Sequence, residues 1–237
     1  MPIISTCSRI ISFRLVKRLS LLLSVTPLIS ACASTLSTQD SAQCVGNATY
    51  TAVLSSTWSA ATHPENFPSN PHYSDLIGAT HNQDASLWSL GKIASSGMRD
   101  VAERGDNLQL IKEIKWSIKT GDSGSLVHGV DIKTSPGTVA VDFELSDKYP
   151  LVSLVSMIAP SPDWFVGISG INMCESGNWI LDKTIRLKAY DAGTDDGEAY
   201  ESADKATTPK REISVVRKNN SDIPQMGTLR IKFKSIN

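Results

Sequence analysis

The sequence lacks an excess of basic residues, which argues against a protein that binds nucleic acid. It holds 23 Lys and Arg against 24 Asp and Glu, a formal net charge of −1 at pH 7, whereas nucleic-acid-binding domains carry a basic footprint. Four of the basic residues and no acidic ones lie in the first 31 positions. Without that segment, 19 basic residues face 24 acidic ones, and the net charge of −5 is compatible with binding a divalent cation.

Recognisable catalytic motifs are also missing. The chain has no Gly-x-Ser-x-Gly elbow and no His-Glu-x-x-His pair, and no acid and base stand together in a known framework. We therefore expect a protein that is not an enzyme. The alternative is a hydrolase that uses Asp163 or a histidine as its base.

No apolar run near the start is long enough for a comfortable membrane-spanning helix. Residues 19–29 form a short apolar segment after four basic residues, the pattern of a secretory signal peptide. Ile-Ser-Ala-Cys at 29–32 resembles the lipobox of bacterial lipoproteins, which implies cleavage after Ala31 and lipidation of Cys32. Ala33 follows the cysteine, which favours the outer membrane. We expect a signal peptide over 1–31, a Ser/Thr-rich tether over 32–43 and a domain over 44–237, with an uncleaved anchor as the alternative.

Cysteine is scarce, with four residues in 237. Cys7 falls in the signal peptide and Cys32 would carry lipid, so Cys44 and Cys174 remain for the exported domain. A cysteine pair in an oxidising compartment predicts a disulfide. Two separate buried thiols are the alternative.

Short runs rich in Val and Ile, separated by Gly, Pro, Ser or Asp, predict an all-β fold, an antiparallel β sandwich. The predicted strands are 48–58, 127–132, 138–145, 151–158, 164–172, 179–187, 213–216 and 229–233. The apolar spacing over 93–105 predicts one short helix, whereas 108–118 fits a helix or a strand. Three prolines within 59–82 predict a long loop there.

Three histidines in this predicted loop could form a zinc set: His63, His72 and His81. They are nine residues apart, which fits neither a helical pair nor the short hairpin spacing usual in zinc sites. We expect these side chains to connect the loop to the domain by hydrogen bonds.

Carboxylates in two turn-rich segments indicate a calcium site. Asp163 lies between two predicted strands, and Asp191 and Asp195 flank Gly193, which allows the backbone to fold back. Carboxylates from two loops at one end of a sandwich can converge on Ca²⁺. Solvated Asp-rich turns are the alternative. An EF-hand is excluded, because Asp196 stands where that loop requires glycine.

The same segments resemble the spondin N-terminal domain of F-spondin and mindin-like extracellular matrix proteins. The most specific are Ala-Pro-Ser-Pro-Asp-Trp-Phe at 159–165 and Asp-Ala-Gly-Thr-Asp at 191–195, and weaker matches extend the resemblance over about 50–216. The resemblance implies a C2-like sandwich, calcium at one end and a role in adhesion or matrix binding. It places the calcium ligands at Asp163, Asp191 and Asp195, and likewise pairs Cys44 with Cys174.

Two departures from the family pattern lie beside the predicted calcium site. Ala189-Tyr190 stands where the family usually has Pro-Trp, and Asp196 occupies a position commonly taken by serine. The extra carboxylate of Asp196 could bind the ion, compete with Asp195 or face water.

The predicted function is a calcium-binding module of the cell envelope, exported to the bacterial outer membrane or cell surface. We expect it to bind an extracellular protein, glycan or surface ligand and to contact the membrane through its lipid anchor. The alternative is calcium-dependent lipid binding, in which rim cations bridge phospholipid head groups. The bulky apolar residues at that rim are Trp164 and Phe165, which we expect in the core.

Overall fold

The computed structural model describes residues 43–219 and 221–237, which form two helices and a series of short strands. The helices are α1 (Ser96–Arg104) and α2 (Leu108–Thr120). The strands are β1 (Ala48–Ser56), β2 (His72–Tyr73), β3 (Ile77–His81), β4 (Ser123–His128), β5 (Gly137–Leu145), β6 (Leu151–Ala159), β7 (Trp164–Asn172), β8 (Cys174–Glu175), β9 (Asn178–Trp179), β10 (Asp182–Leu187), β11 (Tyr190–Asp191), β12 (Ser214–Val215), β13 (Arg217–Lys218), β14 (Ser221–Asp222) and β15 (Gly227–Ile236). The predicted signal peptide, the lipidation site Cys32 and the tether up to residue 42 lie outside the described residues.

The first sheet has the strand order β10-β15-β1-β5, and its pairs are antiparallel. Burial along β1 alternates strictly between buried and half-buried residues. Tyr50, Ala52 and Leu54 therefore point to one face, since successive side chains of a strand point to opposite sides. That face meets the second sheet.

The second sheet has the order β12-β11-β7-β6-β3-β4, with β2 paired to β6. Burial along β6 and the first half of β7 is continuous rather than alternating. A continuous apolar run is what a strand covered on both faces needs. The second sheet is the middle layer of the molecule.

Two cores cover the faces of this middle layer. One lies between the sheets and includes Tyr50, Leu54 and Trp164. The other lies between the second sheet and the two helices, and includes Phe165 and Met98. Trp164 and Phe165 are neighbours on β7 but belong to different cores. Both are buried, so the prediction that they are core residues is confirmed.

The helices are fixed to each other by a shared carboxylate. The Ser95 hydroxyl caps α1 by accepting a hydrogen bond from the Met98 backbone N–H at 3.1 Å. Glu113 of α2 accepts from the Ser95 hydroxyl at 2.6 Å and from the Gly97 N–H at 2.8 Å. Gly97 permits close packing, because a Cβ there would lie 2.6 Å from the Leu110 Cα. The ambiguous segment 108–118 is thus helical, and the prediction of one or two short helices is confirmed.

The predicted loop over 59–82 is wrong in its last part, where β3 lies between β6 and β4. Every residue of β3 is buried, so the strand has no alternating pattern to reveal it. Gly78 packs directly against the Ser153 carbonyl, where no side chain would fit. The strand predicted at 127–132 is also displaced, since β4 ends at His128. The antiparallel sandwich itself is confirmed, and its likeness to a C2 domain stays a prediction.

Cys44 and Cys174 form the predicted disulfide, with Cα atoms 5.8 Å apart and a sequence separation of 130. Cys174 follows the end of β7, so this bond lies at the opposite end of that strand from Asp163. Neither described helix has the length and apolar character needed to cross a membrane.

Candidate metal site at the rim of the second sheet

Asp163 and Asp191 meet at one rim of the second sheet because β7 and β11 pair there. Asp163 ends the turn between β6 and β7, and Asp191 lies opposite Trp164 in the β11–β7 register. The Ala192 backbone N–H donates to the Asp163 carbonyl at 3.1 Å. Pairing between strands therefore brings together two residues 28 positions apart in sequence.

The local sequence shapes both loops for this contact. The Trp164 backbone N–H donates to the Ser161 hydroxyl at 3.0 Å, which closes the turn before β7. Gly193 has φ +73° and packs against the Arg211 carbonyl, a position that only glycine suits. Gly197 lies against Pro162, whose Cγ would be 2.5 Å from an added Cβ. The two loops interlock at this point.

Asp163 is the most unusual residue of the rim, because its carboxylate is buried and only one of its two oxygens accepts hydrogen bonds. Its Oδ2 accepts from the Thr194 N–H at 2.7 Å, the Asp195 N–H at 3.1 Å and the Thr194 hydroxyl at 3.3 Å. Its Oδ1 is buried without a hydrogen-bond partner. Burial, with the nearby charge of Asp191, raises the pKa of Asp163 to about 6. A buried carboxylate in this state gains from a proton or a cation.

Asp191 stands beside an open cleft of about 1220 Å³ that Lys205 and Arg211 also line. Its Oδ1 accepts from the Gly193 N–H at 2.7 Å. Burial raises the pKa of Asp191, and the charges of Asp195 and Asp196 add to the increase while Arg211 opposes it. The cleft gives solvent ions a route to this carboxylate.

Asp195 belongs to the same rim, but both of its carboxylate oxygens already accept backbone hydrogen bonds. Oδ1 accepts from the Gly197 N–H at 2.7 Å and Oδ2 from the Lys205 N–H at 2.6 Å. In the described part of the chain, no three His, Cys, Asp or Glu side chains are arranged to hold a metal ion. The structure thus brings the three predicted aspartates to one rim without placing them around a common point.

Asp196 has a separate role from the other carboxylates. It accepts from the Thr207 hydroxyl at 2.8 Å and pairs with the Arg211 guanidinium at 2.8 Å. These contacts, first the Thr207 hydrogen bond, lower the pKa of Asp196. The sequence gives no signal for Arg211 or Thr207, since isolated polar residues in a loop carry no motif. Thr194 lies in the 191–195 segment, but it has no carboxylate to mark it as a ligand.

The histidines considered for zinc make hydrogen bonds instead. His63 Nε2 lies 3.1 Å from the Pro224 carbonyl oxygen, and His72 Nδ1 lies 2.8 Å from the Asn70 carbonyl oxygen. His81 Nε2 lies 2.8 Å from the Ser153 hydroxyl. The bonds of His63 and His81 connect distant segments as predicted, whereas the bond of His72 stays within its own segment.

Comparison with known proteins identifies the family. The family model Spondin_N matches residues 48–229. The chain belongs to this family. The Spondin_N match includes all three candidate aspartates and Cys174, whereas Cys44 lies four residues before it.

Individual Spondin_N relatives are similar at about one third identity. Spondin-2 of Rattus norvegicus is 33% identical over 196 residues, 80% of this chain and 58% of that protein. Spondin-2 of Homo sapiens is 33% identical over 184 residues, 75% of this chain and 55% of that protein. Spondin-1 of Gallus gallus is 33% identical over 177 residues, 71% of this chain but 22% of that protein. The chain therefore spans little more than half the length of the Spondin-2 proteins.

Proposed function

We propose that this Spondin_N chain is a calcium-stabilised binding module of the cell envelope, with adhesion or ligand capture as its role. The observation that carries the proposal is the buried Asp163 Oδ1, which has no partner. An unpaired buried charge lowers the stability of the fold. A hard cation such as Ca²⁺, which prefers oxygen ligands, would neutralise clustered carboxylates.

The donor set suits Ca²⁺. Asp163 offers its free oxygen, and Asp191 is reachable from the cleft. Asp195 is the third proposed ligand, because a carboxylate oxygen that accepts one N–H keeps a second lone pair. When bound, calcium would supply the positive charge that these carboxylates lack. By sharing the ion, Asp163 on one side and Asp191 and Asp195 on the other would hold the turn before β7 against the 191–197 loop.

Local charge also favours a divalent ion. The rim and its cleft have six carboxylates, those of Asp163, Asp191, Asp195, Asp196, Glu198 and Glu212, and four cationic side chains, those of Lys205, Arg211, Arg217 and Lys218. The excess is two negative charges. Arg211 pairs directly with Asp196, whereas Asp163, Asp191 and Asp195 make no ion pair in the described part of the chain.

Export to an oxidising compartment and a lipid anchor at Cys32 complete the proposal. The disulfide between Cys44 and Cys174 supports export, because such bonds persist outside the cytosol. The ligand would be an extracellular protein, glycan or surface.

A binding role is favoured over catalysis by the state of a close Ser–His pair in the second sheet. Ser153 and His81 are both buried, and the Ser153 hydroxyl accepts from the Gly170 N–H at 2.8 Å. A buried, hydrogen-bonded hydroxyl suits structure better than nucleophilic attack.

Isothermal titration with Ca²⁺, after removal of metal by a chelator, tests the proposed site. We expect saturable binding with a dissociation constant of about 10⁻⁴–10⁻³ M, the range of extracellular modules. Asp163→Asn and Asp191→Asn should each abolish it, and Asp196→Asn is the matched control that should retain it. An isotherm unchanged in both Asp163→Asn and Asp191→Asn would refute the site.

A further inference from the structure

The solvent-facing side of α2 carries a group of exposed residues that the calcium site does not use. Leu110 and Ile114 cover the core side of this helix. The exposed side, which we call the α2 face, consists of Leu108, Lys112, Lys115, Trp116 and Lys119. Leu108 is 67% exposed and Trp116 is 63% exposed, which is far from the burial usual for tryptophan. The spacing is that of one side of an amphipathic helix.

The α2 face is basic. None of its three lysines takes part in an ion pair among the described residues. Glu113, the one acidic residue of α2, is turned toward α1, where it accepts the Ser95 and Gly97 hydrogen bonds. The Lys119 ammonium lies 5.4 Å from the centre of the Trp116 ring. The exposed side of the helix is therefore positive although the chain as a whole is not, while the cleft beside Trp116 also holds the carboxylates of Asp84, Glu113 and Asp122.

We propose that the α2 face docks on the surface of an anionic phospholipid bilayer. Lysine, tryptophan and leucine are the residue types with which interfacial helices contact membranes, and α2 presents all three on its exposed side because its own apolar side is buried against the core. The ammonium groups attract anionic head groups, and the indole ring favours the boundary between head groups and acyl chains. The α2 face supplies both contacts from one helix side.

The position of α2 in the fold favours a bilayer over a soluble acidic partner. α2 ends at Gly121, whose carbonyl accepts from the Tyr149 hydroxyl at 3.2 Å. Tyr149 lies two residues before β6, and Leu151 at the start of β6 pairs with Asn172 at the end of β7. Cys174 follows Asn172 and holds Cys44 by the disulfide. The C-terminal end of α2 and the point where the chain enters the domain thus lie at the same end of the sandwich.

A tether of this length would let this end reach a membrane. Twelve peptide steps separate Cys32 from Cys44, and they span at most about 40 Å when extended. The closeness of the domain to the membrane rests on the proposed lipid anchor at Cys32 and does not depend on calcium. Asp163 lies at the opposite end of β7, so docking through the α2 face is independent of the ion.

Vesicle sedimentation tests the proposal with the segment 43–237, which contains both cores and the disulfide. Cooperative thermal unfolding is checked first. With EDTA present, we expect the protein to sediment with vesicles of phosphatidylcholine containing phosphatidylglycerol and to stay in solution with phosphatidylcholine alone. Raising the salt concentration should release it, because the attraction is screened.

Matched variants assign the contact to the helix. Each lysine near an anionic surface contributes about fivefold to partitioning, so Lys→Gln at Lys112, Lys115 and Lys119 together should weaken binding on the order of 100-fold. The control is Lys→Gln at Lys92, Lys210 and Lys232, which are exposed and change the net charge equally. We expect this control to stay within about twofold of the parent, since its lysines lie off α2.

Tryptophan fluorescence gives a second measurement. Vesicles should shift the emission of the parent to the blue, and Trp116→Phe should lack the shift. Absence of sedimentation in EDTA, or equal loss in the two lysine triples, would overturn the proposal. Sedimentation that requires Ca²⁺ would overturn it too, and would assign lipid contact to the aspartate rim. A failed calcium titration would leave the α2 proposal untouched.

Discussion

The two ends of β7 are held in place by different chemistry. At the end that follows Asn172, Cys174 is joined to Cys44 by a covalent bond. At the start, Asp163 holds the 191–197 loop through hydrogen bonds to the backbone of Thr194 and Asp195. One end needs no partner from solution, whereas the other leaves a buried oxygen unsatisfied. The stability of the rim should therefore depend on calcium, and on pH through Asp163, whereas the disulfide itself should respond to neither.

The largest expected effect comes from breaking the covalent end. Replacing both cysteines, Cys44→Ala with Cys174→Ala, should lower the free energy of unfolding by about 3–5 kcal/mol, because the bond closes a long loop. Chemical denaturation measures this loss. The loss should be the same with Ca²⁺ and with EDTA, since distant sites contribute additively; a difference above about 1 kcal/mol would contradict the separation of the two ends.

The second prediction concerns the pH dependence of the rim. Since the folded-state pKa of Asp163 is raised to about 6, the charged form opposes folding above that pH, and the penalty disappears as the pH falls toward the ordinary value near 4. The full penalty is about 3 kcal/mol. In EDTA, Asp163→Asn should therefore be more stable than the parent at pH 7.5 by up to this amount, and equal to it near pH 4.

Calcium should remove most of that difference at pH 7.5, because the parent can bind the ion and the variant cannot, and binding at 100 times the dissociation constant adds about 2.7 kcal/mol to the stability of the parent. Unfolding curves of both proteins at each pH, with and without Ca²⁺, provide the comparison, and contributions from His63, His81 and the surface carboxylates cancel in the difference. If the difference in the free energy of unfolding between parent and variant does not change with pH, the charge of Asp163 does not control the stability of the rim.

Gly197→Ala tests the contact between the two rim loops. The added Cβ would lie 2.5 Å from Pro162 Cγ, so the loops must separate, at a cost of about 1–3 kcal/mol. We expect calcium affinity to fall as well, because Asp163 and Asp191 lie on the loops that move apart. Thermal unfolding and calcium titration measure the two effects. Unchanged affinity would indicate that the ion contacts only one loop.

The smallest effect is expected for Asp196. It is partly exposed and pairs with Arg211 and Thr207, and such pairs contribute below about 1 kcal/mol. Asp196→Asn should lower stability slightly in denaturation experiments and leave calcium binding within about twofold, since it removes no proposed ligand. Loss of calcium binding would place this carboxylate among the ligands instead.

The regular parts of the sandwich could be predicted from sequence because their patterns are local. The predicted strand 164–172 matches β7 at both ends, and β1 shows the alternation expected of a half-covered strand. β3 was not predictable in the same way, because it is buried on both faces and its Gly78 fits only against a neighbouring strand. The sequence of 108–118 fits a helix and a strand equally well, because the contacts that accompany the helix are tertiary ones with α1.

The candidate site could be predicted only in part. Turn-rich segments and family resemblance led to Asp163, Asp191 and Asp195, and the structure brings them to one rim. Which oxygens accept backbone N–H groups depends on the fold of residues 193–207, which no sequence pattern specifies. The pairing of Arg211 with Asp196 likewise joins residues whose contact follows from the path of the loop.

The division of Trp164 and Phe165 between the two cores has a consequence for how the molecule unfolds. Both layers lose packing if β7 moves, so we expect the helical layer and the first sheet to unfold together. We expect fluorescence, which senses the tryptophans, and far-ultraviolet circular dichroism, which senses the helices, to trace a single coincident transition.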